Sequence, residues 1–244
     1  MLGADPCGYV QHLINDWELG PPGVRVVGAL TSEVFRYFRE TRRPDGSTAF
    51  SVPPHAVRSL LDQHASTVVI NRWHFLDSVC RDLVREIESA RSARVSANLY
   101  LSAPSSRSFG AHWDGHDVLV LQLAGRKVWK CAPPSFDNAI RSLPQGVEPK
   151  VTDVEMEMSP GDALLVPRGW WHDVRTVGRE DSLHVSIAAY PYTVRDLLVD
   201  LCDELAQTDP GFRFDVGGLQ PDGAEMIEHL AGPLRTLAGR LSAP

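Results

Sequence analysis

The sequence predicts a mainly β protein with flanking helices, its strands closed into a sandwich or barrel of the jelly-roll kind. Two observations carry that prediction. From Arg94 onward, short apolar runs recur, each separated from the next by Pro, Gly or Asp. Before Arg94 and after Tyr190 the apolar spacing is largely helical instead. A closed barrel of short strands can hold a small site in its interior. No internal repeat is visible.

Taken in order, residues Tyr9 to Trp17 have the spacing of a short helix, which Gly20-Pro-Pro-Gly23 stops. Thr31 to Glu40 reads as a second helix, with a hydroxyl N-cap and Val34, Phe35 and Phe38 on one side. Arg43-Pro-Asp-Gly-Ser47 is a turn, and Pro53-Pro54 opens a short helical stretch containing Leu60 and Leu61. Thr67 to Ile70 is a strand. Phe75 to Glu88 is an amphipathic helix using Leu76, Val79, Leu83 and Ile87. The β runs are Val95–Leu101, Val118–Leu123, Val128–Cys131, Val151–Met156, Ala163–Val166, Val174–Val177 and Leu183–Tyr190. Thr193 to Ala206 and Asp222 to Leu241 are helices again. The predicted organisation is a helical lead-in with the first strands (1–92), a β core (93–191) and a C-terminal helical region (192–244).

The 244 residues suit one domain, with or without an appendage, and 43% apolar with 23% charged residues describes an ordinary soluble chain. A net charge of -7 argues against a generic nucleic-acid binder, which needs a Lys/Arg surplus. The cluster Arg36, Arg39, Arg42 and Arg43 reads as a solvated helix face. Cys7, Cys80, Cys131 and Cys202 are far apart and form no Cys-x-x-Cys pair, so neither a zinc knuckle nor a disulfide framework is indicated. No leader and no run of membrane-spanning length is visible, so the expected compartment is the cytoplasm.

The chemistry concentrates in Phe109 to Trp129. There His112-Trp113-Asp114 opens onto an apolar strand that turns at Ala124-Gly125 and leaves with Lys127 and Trp129. Residues two apart on a strand share a face, so His112 and Asp114 project together. One further imidazole completes the two-His-one-carboxylate set that holds Fe(II) with open positions for substrate and oxygen. His172 supplies it, at the end of Pro160-Gly-Asp…Pro-Arg-Gly-Trp-Trp-His172. His116 competes for the first imidazole, but it follows Gly115 at a turn. His184 reads as a hydrogen-bonded core histidine. Trp129 reads as core, Trp171 as a candidate for the mouth of the site, and Asp162 as a turn-former. No Gly-x-Ser-x-Gly elbow, P-loop or Gly-x-Gly-x-x-Gly is present.

These motifs, together with Asn98-Leu-Tyr100, resemble the Jumonji-C oxygenases, and among them the ribosomal-oxygenase branch of the cupin-type proteins. The specific resemblance runs from about Asn98 to Tyr190. It implies a double-stranded β-helix, Fe(II) held by His112, Asp114 and His172, 2-oxoglutarate as cosubstrate, and O2. It also implies that Lys127 pairs with the distal carboxylate of 2-oxoglutarate and that Tyr100 donates to the same group. Asn98 would lie near the metal-bound end or the substrate, and Ser186 on the last strand is a further pocket candidate. Arg126 points the other way, to solvent.

The expected reaction is hydroxylation of an amino-acid side chain in a peptide or protein, His before Arg, with a natural-product precursor peptide as one fitting substrate. A free amino-acid hydroxylase and a non-catalytic metal-binding cupin are the alternatives. No nucleic-acid or membrane partner is expected. In that branch a dimerising helical region follows the barrel and a winged helix follows that. A homodimer is therefore expected here, through Leu197, Leu198, Leu201 and Leu205 with Leu230, Leu234, Leu237 and Leu241, while the sequence leaves no room for a winged helix.

Overall fold

The structure is a computed structural model that describes residues 5–28, 35–91, 93–106, 109–147, 149, 152–215 and 224–241. The chain divides into two compact units, Met1–Pro191 and Tyr192–Pro244.

Among the described residues of the first unit, helices α1 (Pro6–Asp16), α2 (Ala56–His64) and α3 (Ser78–Arg91) accompany twelve strands. These are β1 (Val24–Val27), β2 (Arg39–Arg42), β3 (Thr48–Ser51), β4 (Thr67–Ile70), β5 (Arg94–Ser102) and β6 (His112–Trp113). They continue with β7 (Asp117–Ala124), β8 (Arg126–Ala132), β9 (Val154–Met158), β10 (Ala163–Val166), β11 (Trp171–Val177) and β12 (Ser182–Tyr190). One sheet has the order β1-β4-β5-β12-β7-β10 and a second β6-β11-β8-β9, while β2 and β3 pair alone. All pairings are antiparallel. This is the double-stranded β-helix that the motifs implied.

Period-two patterning decides which face does what. Along β5, Val95, Ala97, Leu99 and Leu101 are buried on one face, and Asn98, Tyr100 and Ser102 line a cavity on the other. Along β12, Leu183, Val185 and Ile187 join the same core, while His184, Ser186 and Tyr190 line the cavity. The outer face of the large sheet is covered by Val10, Leu13 and Ile14 of α1, Val57 and Leu61 of α2, and Cys80 and Val84 of α3. Each large apolar side chain so buried contributes roughly 1.5–3 kcal/mol, which is what docks these short helices. On the inner face, Val118, Val120 and Val166 meet Trp129, Cys131 and Met158 of the small sheet. Gly125 makes the tight turn between β7 and β8 at φ +60°, where an added Cβ would lie 2.2 Å from the Asp181 carbonyl oxygen.

Four expectations need correction. The helix predicted over Thr31 to Glu40 is not formed in its described part. Phe35–Tyr37 is a 3-10 turn and Arg39–Arg42 is a strand, paired with Thr48–Ser51 across a turn held by Asp45 Oδ1, which accepts from Ser47 N at 2.9 Å. Residues Thr31 to Val34 lie outside the described residues. In α3, Val79 is 77% exposed, because Cys80 and Val84, with Leu76, Leu83 and Ile87 packed beside them, define the buried stripe. β9 starts at Val154, with Val151 outside the described residues. β11 starts earlier than predicted, at Trp171, and so carries His172.

In the second unit, α4 (Val194–Thr208) starts with a reciprocal capping box between Thr193 and Asp196. α5 (Ala224–Leu241) contains Pro233, and Asp222, where this helix was predicted to begin, lies outside the described residues. Arg240 pairs with Glu204 at 2.7 Å between the two helices. No helix of the described residues is long and apolar enough to cross a membrane.

Candidate metal centre

β6 and β11 pair so that His112 and His172 are cross-strand partners, their rings 4.3 Å apart. Asp114 lies just beyond the two-residue β6, so its placement comes from the turn and not from strand alternation. Its carbonyl accepts from Gly169 N at 2.7 Å, which ties the loop after β6 to the loop before β11. Gly115 follows because the backbone of Ile140 and Arg141 passes so close that a Cβ would sit 2.5 Å from Arg141 N. Trp113, between the two ligands, anchors the strand by donating Nε1–H to the Gln145 carbonyl at 2.8 Å.

One ligand atom from each of His112, Asp114 and His172 lies within 4.8 Å of the others, and this is the group among the described residues that could hold a metal ion. Asp114 Oδ2 is 3.7 Å from His172 Nε2. Each imidazole has its Nδ1 against a backbone carbonyl two residues earlier, Gly110 O at 3.0 Å and Trp170 O at 3.1 Å. A ring whose Nδ1–H donates to a carbonyl presents an unprotonated Nε2, the tautomer a metal needs. Burial, reinforced by His112, pushes the His172 pKa down to about 4, so this ring is neutral at neutral pH. Two imidazoles and one carboxylate leave coordination positions open, and they suit Fe(II).

The triad opens onto a cavity of about 280 Å³. Lys127 lines it and is only 5% exposed, its Nζ donating to Ser102 Oγ at 2.8 Å. Ser102 Oγ is in turn 2.8 Å from Thr67 Oγ1. Among the described residues no carboxylate pairs with Lys127, and burial alone pushes its pKa down to about 7. A buried amine without a counter-charge is costly, and a dicarboxylate entering this cavity would supply one. His184 stands nearby, stacked on Tyr100 at 4.8 Å, with its buried Nδ1 lacking a hydrogen-bond partner. These unpaired groups fit a polar, anionic cosubstrate.

The other predicted residues fall as follows. Asn98, Tyr100 and Ser186 line the cavity, Asn98 and Ser186 as direct cross-strand neighbours. Asn98 Oδ1 accepts from Arg72 N at 2.8 Å. Arg126 is exposed and pairs with Glu157. Asp162 accepts from Ser159 N at 2.7 Å, as a turn-former does. Trp129 is buried and borders the cavity. Two readings are corrected. His184 is a cavity-wall residue without the expected hydrogen bond at Nδ1. Trp171 does not reach the mouth of the site, because it packs with Trp113, Ala132 and Ala139 and donates to Ser135 Oγ. Sequence reasoning missed Ser102, Arg25 and Arg141, all lining the cavity. The i, i+2 rule extended from Tyr100 would have found Ser102; no sequence signal marks the two arginines.

The profile of the JmjC domain matches residues 68–197. The bifunctional lysine-specific demethylase and histidyl-hydroxylase NO66 of Drosophila persimilis is 31% identical over 154 residues, covering 62% of this chain and 22% of the relative. Ribosomal oxygenase 1 of Danio rerio is 27% identical over 157 residues, covering 62% of this chain and 28% of the relative. The chain thus spans less than a third of the length of these curated relatives. Among solved structures, Escherichia coli YcfD superposes with a TM-score of 0.55 at 18% identity, covering 96% of this chain and 67% of that one. The structure of YcfD, a ribosomal oxygenase, in complex with cobalt and 2-oxoglutarate gives 0.54 at 18% identity, covering 96% and 66%.

Proposed function

The chain belongs to the JmjC-domain family, and from that premise we propose that it is an Fe(II)- and 2-oxoglutarate-dependent oxygenase that hydroxylates an amino-acid side chain, preferentially histidine, in a peptide or protein. The observation that carries this reading is the presence, in one cavity, of a two-His-one-carboxylate set and a buried lysine that has no carboxylate partner among the described residues. Relatives named as histidyl-hydroxylase and ribosomal oxygenase support the reaction class.

Iron with 2-oxoglutarate and O2 supplies the oxidising power that puts an oxygen atom into a C–H bond, with succinate and carbon dioxide as by-products. The chain's residues do the rest. His112, Asp114 and His172 hold the metal and leave its remaining positions to ligands. Lys127, aided by Ser102 and Tyr100, binds the distal carboxylate of 2-oxoglutarate and so orients the opposite end toward the metal. Val118, Trp129 and Val174 line the cavity and limit water.

The choice of histidine over arginine rests on charge. Among the described lining residues Asp114 is the lone carboxylate, and we assign it to the metal set, while Arg25 and Arg141 line the same cavity. A guanidinium entering there would find no counter-charge, whereas a neutral imidazole needs none. The test is incubation with Fe(II), 2-oxoglutarate and matched peptides containing either His or Arg, read by mass spectrometry. A gain of one oxygen atom on His-containing peptides is expected. Exclusive modification of the Arg peptides would reverse the assignment.

A further inference from the structure

Beside the metal cavity lies a second depression, formed where β5 meets α3 and the turn before it. Four arginines line it: Arg72, Arg81, Arg85 and Arg94. The one carboxylate in its lining, Glu88, is already engaged, its Oε1 accepting from Val95 N at 3.0 Å. Among the described residues Arg72, Arg81 and Arg94 have no carboxylate partner, and Arg85 has only the exposed Asp82 at 3.8 Å. Phe75 adds an apolar surface at the edge, 59% exposed. This concentration of positive charge stands on a chain whose net charge is -7.

The groove and the active cavity share a wall residue. Tyr190, the last residue of β12, lines both, and the Arg94 guanidinium lies 5.2 Å from the centre of its ring. His116 packs on the same ring from the cavity side, at 4.5 Å. Arg72 is held at the junction by Asn98, itself a cavity residue. A peptide whose target side chain occupies the cavity has, on the other side of Tyr190, guanidinium groups of which only Arg85 has a carboxylate partner among the described residues.

Resting on the oxygenase reading of the cavity, we propose that the substrate is an acidic peptide segment: its target residue enters the metal cavity and its neighbouring Asp or Glu side chains lie in the Arg72–Arg81–Arg85–Arg94 groove. Guanidinium groups recognise carboxylates through paired N–H donors, and opposite charge also speeds encounter. Like charge in the groove rejects a basic segment. A free amino acid, which carries a carboxylate too, would fill the cavity alone and leave the groove unused.

The test uses the full chain loaded with Mn(II) and 2-oxoglutarate under nitrogen, so that binding is read without turnover. Fluorescein-labelled peptides carry one central histidine flanked by Asp/Glu, by Ser/Gly or by Lys/Arg, and fluorescence anisotropy gives their affinities. The acidic peptide is expected to bind at least about tenfold more tightly than the basic one, with the difference shrinking as salt is raised. Arg81→Glu with Arg85→Glu should abolish or reverse the preference, while Arg81→Lys with Arg85→Lys should largely keep it, which separates charge from misfolding. Equal affinity for the three peptides, or a preference that survives the charge reversal, would overturn the proposal. So would hydroxylation of free histidine, under Fe(II) and O2, as fast as that of the acidic peptide. Succinate formation by the wild-type chain without peptide reports on the oxygenase reading separately, so failure of one is not mistaken for failure of the other.

Discussion

His112 and His172 face each other directly across the β6–β11 pair, and each turns its Nδ1 onto the carbonyl of the residue two positions before it. Strand register thus sets both the separation of the two imidazoles and their tautomer before any metal arrives. Asp114 joins them because Gly115 lets the neighbouring backbone come close.

Loss of any one ligand should leave a remnant that neither retains nor orients iron. His112→Ala, Asp114→Ala and His172→Ala are each expected to lose bound Fe(II), by metal analysis of anaerobically prepared protein, and with it 2-oxoglutarate turnover. Wild-type metal content and turnover in any of the three removes that residue from the site.

Lys127→Ala should weaken 2-oxoglutarate binding far more than it lowers metal content. Truncating one partner of a desolvated charge pair typically costs about 2–5 kcal/mol, or roughly thirtyfold or more in affinity. Lys127→Met should do the same to binding while raising the melting temperature of the ligand-free chain, because it replaces a buried amine that has no counter-charge with an apolar side chain of similar length. Calorimetric titration with 2-oxoglutarate and thermal unfolding together check both effects; unchanged 2-oxoglutarate affinity would remove Lys127 from the cosubstrate site.

A pH dependence follows from the same residue. Burial pushes the Lys127 pKa down to about 7 in the folded chain, from an ordinary 10.5. Between these values the unfolded chain binds more protons, so the ligand-free protein gains stability as pH rises from about 7 to 10.5; below about 7 both states are protonated and this contribution is flat. Pairing with the cosubstrate favours the protonated amine, so 2-oxoglutarate affinity should fall as pH rises above about 7. Lys127→Met should abolish that fall. Affinity independent of pH from 7 to 9, measured by titration at about five pH values, would contradict the pairing.

How legible all this was depends on the kind of signal. β5 and β7 were readable as apolar runs bounded by turn residues; their alternation between a helix-covered side and a cavity side shows only in their burial. The candidate metal set was readable because His112, Asp114 and His172 stand in recognisable motifs, although Asp114 takes its place from the turn after β6 and not from the strand alternation that the sequence suggested. The stretch from Phe35 was not, since Phe35 and Phe38 imitate helical spacing over too few residues to outweigh the hairpin that Asp45 closes. His184 was misjudged because its apolar neighbours in sequence point outward. The same rule that puts Ser186 in the cavity also puts His184 there, two residues away. Arg25 comes from β1 and Arg141 from the loop after β8, and only tertiary folding brings them to one cavity.

The second unit is expected to pair two chains. Leu230, Leu234 and Leu241 are exposed, as is Leu197, while Leu198, Leu201, Leu205 and Leu237 are half-buried, and no described residue of α4 is fully buried. Apolar side chains in such a row are normally covered, and a two-fold contact is the commonest way. Light scattering over a range of concentrations should show a dimer, and Leu234→Glu with Leu230→Glu should shift it to monomer. A wild-type chain that stays monomeric and soluble throughout contradicts the pairing.

The central claim is that the triad and Lys127 make one working oxygenase site. It is tested most directly by measuring succinate formation and O2 uptake together, with Fe(II) and 2-oxoglutarate supplied to wild-type chain and to His172→Ala. The account predicts matched succinate and O2 in the wild type and neither above background in the variant. Iron bound at the triad with no succinate formed, in the presence or absence of His-containing peptides, would contradict it.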